Sequence, residues 1–61
     1  MENVEYVSFA IVVIGDGHVE VAQYWEADAA RKPDYIADMV VAFSNKHGTA
    51  IERVIVREIN S

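Results

Sequence analysis

The dipeptide Asp16-Gly17 constrains the fold more than any other feature, because it separates two stretches rich in β-branched and aromatic residues. A tight hairpin turn needs residues that tolerate positive φ, and Asp and Gly are typical of that position. The pattern therefore predicts two antiparallel strands, at about residues 4–14 and 19–25. The hairpin register stays open at this point, because the loop can contain two residues or three.

A two-residue loop pairs Ile14 with Val19, and a three-residue loop pairs Ile14 with His18. We favour the three-residue loop, because it separates a bulky face from a flatter one. The bulky face then contains Val7, Phe9, Ile11, Val13, Val19, Val21 and Trp25. The flatter face contains Tyr6, Ser8, Ala10, Val12, Ile14, His18, Glu20, Ala22 and Tyr24.

The middle of the chain carries helix signals. Pro33 suits the first turn of a helix and Gly48 is typical of a helix stop, so we predict a helix at about residues 33–47. Asp28 is expected to cap a single turn that precedes it. Apolar residues recur at helical spacing and predict the buried stripe, which consists of Ile36, Met39, Val40, Phe43 and His47.

A third strand is predicted at about residues 49–59, with charges of both signs on both faces, which is typical of a sheet edge. A right-handed crossover from the second strand to the third passes over the first. We therefore expect one α+β domain over residues 1–61, with β-β-α-β order, a three-stranded antiparallel sheet of order 2-1-3 and one helix on one face.

Size predicts self-association. A chain of 61 residues without cysteine has no disulfides to offset its small core, and two histidines are too few for a dedicated metal site unless carboxylates join them. One helix covers one sheet face, so we expect a homodimer or higher oligomer through the other face or an edge strand. The predicted dimer interface consists of Tyr6, Ser8, Ala10, Val12, Ile14 and Tyr24.

The charge balance restricts the partners. Ten acidic and five basic residues give a net charge of −5, which disfavours direct binding of nucleic acid. The longest apolar run is far shorter than a membrane span, and the acidic N-terminus is unlike a signal peptide. We expect a cytoplasmic protein that meets a partner with a basic surface; in the alternative, its charge serves solubility alone.

The sequence Gly15-Asp16-Gly17 superficially resembles a phosphate-binding loop. A dinucleotide fingerprint needs a third glycine, where this chain has Glu20, and a helix rather than a strand must follow. Asp16 and His18 are the candidate acid–base pair, but we favour their interpretation as a turn residue and a solvated neighbour. No cofactor, metal or enzymatic activity is predicted.

Acidic and aromatic residues gather around the junction between the second strand and the helix. We interpret them as a partner-binding cluster whose carboxylates replace the phosphates of a nucleic-acid backbone; the alternative is a solvated acidic helix face. The cluster consists of Tyr24, Glu26, Asp28, Asp34, Tyr35 and Asp38.

In size, acidity and lack of a pocket motif, the chain is similar to the small inhibitor proteins that phages use against host defence or repair enzymes. The likeness is compositional and transfers no functional residue. Together with the charge balance and the uncovered sheet face, it favours a homodimeric, acidic protein-binding module that inhibits or modulates a protein with a basic, nucleic-acid-handling site. Two alternatives stay open: an assembly subunit whose only partner is itself, and an enzyme or ligand carrier with its site at the subunit interface.

Overall fold

The structure is a computed structural model, and it describes residues 7–59. The elements are β1 (Val7–Gly15), β2 (His18–Trp25), a 3₁₀ helix (Glu26–Arg31), α1 (Lys32–His47) and β3 (Arg53–Glu58). Both β2 and β3 pair antiparallel with β1, so the sheet order is β2-β1-β3. The predicted α+β class, strand order and single helix are confirmed. The part of the first predicted strand that precedes Val7 lies outside the described residues.

The hairpin turn has two residues, because Asp16 and Gly17 both adopt positive φ, at 50° and 79°. Gly15 therefore pairs with His18, and Ile14 pairs with Val19. The predicted three-residue register is wrong. Asp16 tolerates the left-handed conformation, so the turn closes without a third residue.

In the two-residue register, every β2 side chain lies on the opposite face of the sheet from the one predicted, because side chains alternate with a period of two. Tyr24 lies opposite Phe9. Val21 lies opposite Val12. The expected grouping of Val19, Val21 and Trp25 with the bulky side chains of β1 is therefore also wrong.

The hydrophobic core lies between β1 and α1. Phe9, Ile11 and Val13 are 0% exposed and Phe43 is 1% exposed. The predicted helix stripe is confirmed as the inward side of α1, since Ile36 and Met39 pack against this core while Val40 and His47 are half-buried. Tyr35, a residue of the predicted partner-binding cluster, also packs against the core.

The ends of α1 follow the sequence signals. Pro33 lies in the first turn, and Gly48 ends the helix at φ 64° while its N–H donates to the carbonyl of Ser44 at 2.9 Å. Asp28 does not cap a turn, because it lies inside the 3₁₀ helix, whose N-cap position is Trp25 and which has no side-chain cap.

The third strand begins at Arg53 rather than at Thr49. The preceding segment passes close over Gly15, where a Cβ atom would lie 2.3 Å from the carbonyl oxygen of Ala50. The N–H of Glu52 then donates to the carbonyl of Ile14 at 2.8 Å. The chain is therefore guided back to the sheet by a close backbone approach before regular pairing starts.

Candidate protein-binding surfaces

The sheet face that points away from α1, called the open face below, has no other layer of the described chain on it. Its exposed large apolar residues include Val19 at 57%, Val21 at 59% and Trp25 at 46%. Strand register and side-chain alternation place eleven side chains on this face. They are Ala10, Val12, Ile14, Val19, Val21, Gln23, Trp25, Arg53, Ile55, Arg57 and Ile59.

The structure separates the residues of the predicted dimer interface. Ala10, Val12 and Ile14 lie together on the open face. Ser8 lies at a register shift between β1 and β2, and its carbonyl accepts a hydrogen bond from Ile59 at 2.7 Å. Tyr24 belongs to the covered face. Tyr6 lies outside the described residues.

A shallow depression of about 440 Å³ crosses the open face. It forms above Ala10, because this small side chain lies between the longer ones of Gln23 and Arg57 on the two flanking strands. Its lining includes valine and isoleucine as well as these polar groups. The depression is therefore amphipathic and open to solvent.

Three aromatic rings form a column at the junction between β2 and α1. Tyr24 stacks between Phe9 and Tyr35, with ring centroids 5.1 Å and 4.5 Å apart. A cation lies over each end, since Lys32 Nζ is 4.9 Å from the Phe9 centroid and Arg31 Cζ is 5.5 Å from that of Tyr35. The two tyrosines of the predicted partner-binding cluster are thus engaged within the fold.

The environment of Tyr24 favours its neutral form. Burial raises the pKa of the Tyr24 phenol, and the charges of Tyr35 and Asp38 raise this pKa further. Tyr24 therefore packs with a neutral hydroxyl. The negative charge beside it comes from the Asp38 carboxylate.

The four predicted acidic residues at this junction are called the acidic end below: Glu26, Asp28, Asp34 and Asp38. Asp34 lies 3.8 Å from Arg31, and both side chains are about two-thirds exposed, so this pair contributes little. Within residues 7–59, the other three carboxylates form no ion pair. The acidic end therefore keeps most of its negative charge.

A different polar cluster ties the other end of α1 to β2. His47 Nε2 lies 2.8 Å from Glu20 Oε2, and Lys46 Nζ lies 3.0 Å from the same oxygen. His18 stacks on His47 with ring centroids 4.1 Å apart. Hydrogen bonds from His47 and then Lys46 lower the pKa of Glu20.

Sequence reasoning missed this cluster, since it treated His18 as a solvated turn residue. The signal that could have found it is the two-residue register, because that register puts His18 and Glu20 on the helix side of the sheet. His47, in the last turn of α1, then faces them directly.

The cleft beside this cluster is small, about 100 Å³, and is lined by Glu20, Met39, Ala42, Phe43 and Lys46. Pockets for organic ligands are several times larger. Within residues 7–59, no three His, Asp or Glu side chains are grouped so that they could hold a metal ion. The helices of the same part of the chain are too short or too polar to cross a membrane.

Comparison of the chain with known protein families, with curated proteins and with solved structures finds no match. The features of this chain that bear on function are therefore the open face and the acidic end, and the chemistry that each of them offers to another molecule.

Proposed function

We propose that this protein is a small, non-catalytic protein-binding module of the cytoplasm that works as a homodimer. It uses the open face for self-association and presents the acidic end to a protein with a basic, nucleic-acid-handling site. By occupying that site it inhibits or modulates the partner, as phage-encoded anti-defence proteins do. The observation that carries the proposal is the open face, an apolar sheet surface that no other layer of residues 7–59 covers.

Self-association follows from the layer rule for small domains. A sheet with apolar residues on both faces needs cover on both, and α1 supplies only one layer. Val19 and Val21 are more than half exposed, and the other β2 residues on the same face carry no charge. A second protein surface removes them from water, at roughly 25 cal/mol per Å² of apolar area.

The choice of a basic partner rests on how the charges are distributed. Lys32 and Lys46 are engaged by Glu58 and Glu20 on the sheet, so they do not neutralise the acidic end. Glu26, Asp34 and Asp38 are exposed. Such carboxylates offer anionic oxygens to lysine and arginine side chains that otherwise bind phosphate. The spread of acids over the 3₁₀ helix and α1 gives this surface several contact points.

The test is a capture experiment from nuclease-treated host lysate with two matched variants. Glu26→Gln with Asp38→Asn removes two charges from the acidic end, and Asp16→Asn with Glu52→Gln removes two charges near the hairpin turn. We expect one stoichiometric nucleic-acid-handling protein that the first variant loses at least tenfold and the second retains. Equal binding by wild type and both variants would eliminate the acidic end as the partner surface.

The assembly subunit is the second candidate, because the open face supports it equally well. Capture with such a subunit recovers only the protein itself. Its self-association changes on substitution of Val12 or Ile14 and is unchanged by Asp34→Lys and Asp38→Lys. A ligand carrier with a site between subunits is separated from both by a ligand-dependent rise in Tm.

A further inference from the structure

We infer that the open face is covered by a second copy of this chain, rotated about a twofold axis parallel to the strands, so that β2 of each protomer lies over β3 of the other. The inference rests on the proposed homodimer and adds its geometry. It follows from the positions of charge and bulk on the open face.

The open face is divided into a cationic column and a neutral one. Arg53 and Arg57 lie on β3, on either side of Ile55, and neither forms an ion pair within residues 7–59. The β2 column carries no charge and presents Val19, Val21 and Gln23. Any second copy must therefore bring two more arginines to the interface, and the symmetry axis decides where they lie.

A face-to-face dimer of two sheets has two simple twofold axes. An axis perpendicular to the strands places β3 over β3 with reversed direction, which brings Arg53 of one protomer near the partner's Arg57. Like charges at a desolvated interface are unfavourable. An axis parallel to the strands places β3 over β2 and keeps the arginines of the two protomers apart.

The parallel axis also matches side chains row by row, because residues that flank the same β1 residue meet across the interface. Val21 and Ile55 both flank Val12, so Val21 meets the partner's Ile55. Gln23 and Arg57 both flank Ala10, so the amide oxygen of one reaches the guanidinium of the other.

The two remaining rows fit as well. Val19 and Arg53 both flank Ile14, so the aliphatic stem of the partner's Arg53 covers Val19 and its charged head reaches the rim. Trp25 and Ile59 lie at the same end of the sheet and are 46% and 37% exposed. In this dimer these two large apolar residues cover each other.

The interface is small. A face three strands wide and about seven residues long measures roughly 15 Å by 20 Å, or about 300 Å², so two copies cover about 600 Å² in flat outline and somewhat more as accessible surface. That is below the standard size of specific interfaces, so we expect a weak dimer, with a dissociation constant no tighter than roughly the micromolar range.

The deciding experiment uses two variants at Val19 and sedimentation equilibrium of the full chain, with circular dichroism to confirm folding. Val19→Lys places a cation against the partner's Arg53 and should weaken dimerisation at least tenfold. Val19→Glu places an anion there and should leave dimerisation unchanged or tighter. Because Val19 is 57% exposed, neither change disturbs the core of the protomer.

A charge exchange and a control complete the design. Val19→Lys combined with Arg53→Glu restores an opposite-charge pair and should recover most of the lost dimerisation. Val41→Lys is the control, because Val41 is 59% exposed on α1, away from the open face, and this change should leave the mass unaffected.

Three other outcomes overturn the inference in distinguishable ways. Equal loss of dimer in the Lys and Glu variants refutes the parallel axis. A dimer unaffected by every Val19 variant refutes the open face as the interface, including its use in the proposed function, while leaving self-association itself intact. A wild-type chain that stays monomeric at millimolar concentration refutes the homodimer itself.

Discussion

The two faces of β1 have similar sequences and different surroundings. On the covered face, Phe9, Ile11 and Val13 are fully buried, whereas Val12 and Ile14 on the open face are only half-buried. The difference arises from one layer, since α1 packs on the first set and no element of residues 7–59 packs on the second. A large apolar residue is thus favoured on either face of a strand, but it is fully buried only where a second layer packs on that face.

The covered face also uses its polar groups differently. Its edges are closed by the Phe9–Tyr24–Tyr35 column at one end and by the His18–His47 stack with Glu20 at the other. The open face has Gln23 and the two arginines of β3 without such partners among the described residues. One face is specified from within the chain, and the other is left uncovered by the described residues.

Truncation of the core should break this comparison most strongly. Phe43→Ala removes the buried ring that α1 contributes and should destabilise the protein by about 3–5 kcal/mol. Val21→Ala on the open face should change the stability of the protomer by less than about 0.5 kcal/mol. Urea unfolding at low, fixed protein concentration measures both. If Phe43→Ala does not fold, Phe43→Leu should show a smaller loss in the same direction; similar losses on the two faces would contradict the comparison.

Gly15→Ala is the next largest effect, and it tests the close approach at the turn end of the covered face. The new Cβ atom would lie 2.3 Å from the Ala50 carbonyl oxygen and 3.1 Å from Phe43 Cε1, so we expect a loss of about 3 kcal/mol. Gly17→Ala is the matched control, because it meets open space and bears only the strain of φ 79°, about 1–2 kcal/mol. Thermal unfolding should rank Gly15→Ala below Gly17→Ala, and the reverse order would show that the approach is relaxed in solution.

The Glu20 cluster predicts a pH dependence of the covered face. Hydrogen bonds from His47 and Lys46 lower the pKa of Glu20 from the ordinary value of 4.5. The stabilisation of the fold by the Glu20 carboxylate is therefore fully present above pH 4.5 and is lost as pH falls through the lowered pKa. Stability of the wild type should decrease below about pH 4.5 more steeply than that of Glu20→Gln. Parallel stability curves from pH 7 to pH 3 for the two proteins would exclude the cluster as an acid-sensitive contact.

The smallest effect concerns the aromatic column. Burial, with Tyr35 and Asp38 nearby, raises the pKa of Tyr24 above its ordinary value of 10.0. The folded state therefore prefers the neutral phenol, so the contribution of Tyr24 is complete below pH 10 and is lost as pH rises through the raised pKa. Ultraviolet titration should show one tyrosinate transition above pH 10 that is missing from Tyr24→Phe. If the difference between the wild-type and Tyr24→Phe titration curves has its midpoint near pH 10, the raised pKa of Tyr24 is contradicted.

Much of the fold could be predicted because its signals are local. The Asp16-Gly17 turn, Pro33 and Gly48 each impose a backbone conformation that depends little on distant residues. The crossover rule then supplies the sheet order. The acidic end could also be recognised from the sequence, since charges need no tertiary contact to be recognised, and its four residues lie in the 3₁₀ helix and α1.

The sequence by itself determined the elements, their order and the surplus of negative charge. Only the tertiary structure decided the hairpin register, the face on which Tyr24 lies and the row of Arg53 and Arg57 on the open face. The physical reason is that β1 is apolar on both faces. A one-residue slip of β2 moves its side chains to the opposite face of the sheet, and in either register they lie beside apolar residues of β1. The local pattern cannot choose between such registers. The positive φ of Asp16 and the packing of Tyr24 under Tyr35 and of Glu20 under His47 make that choice.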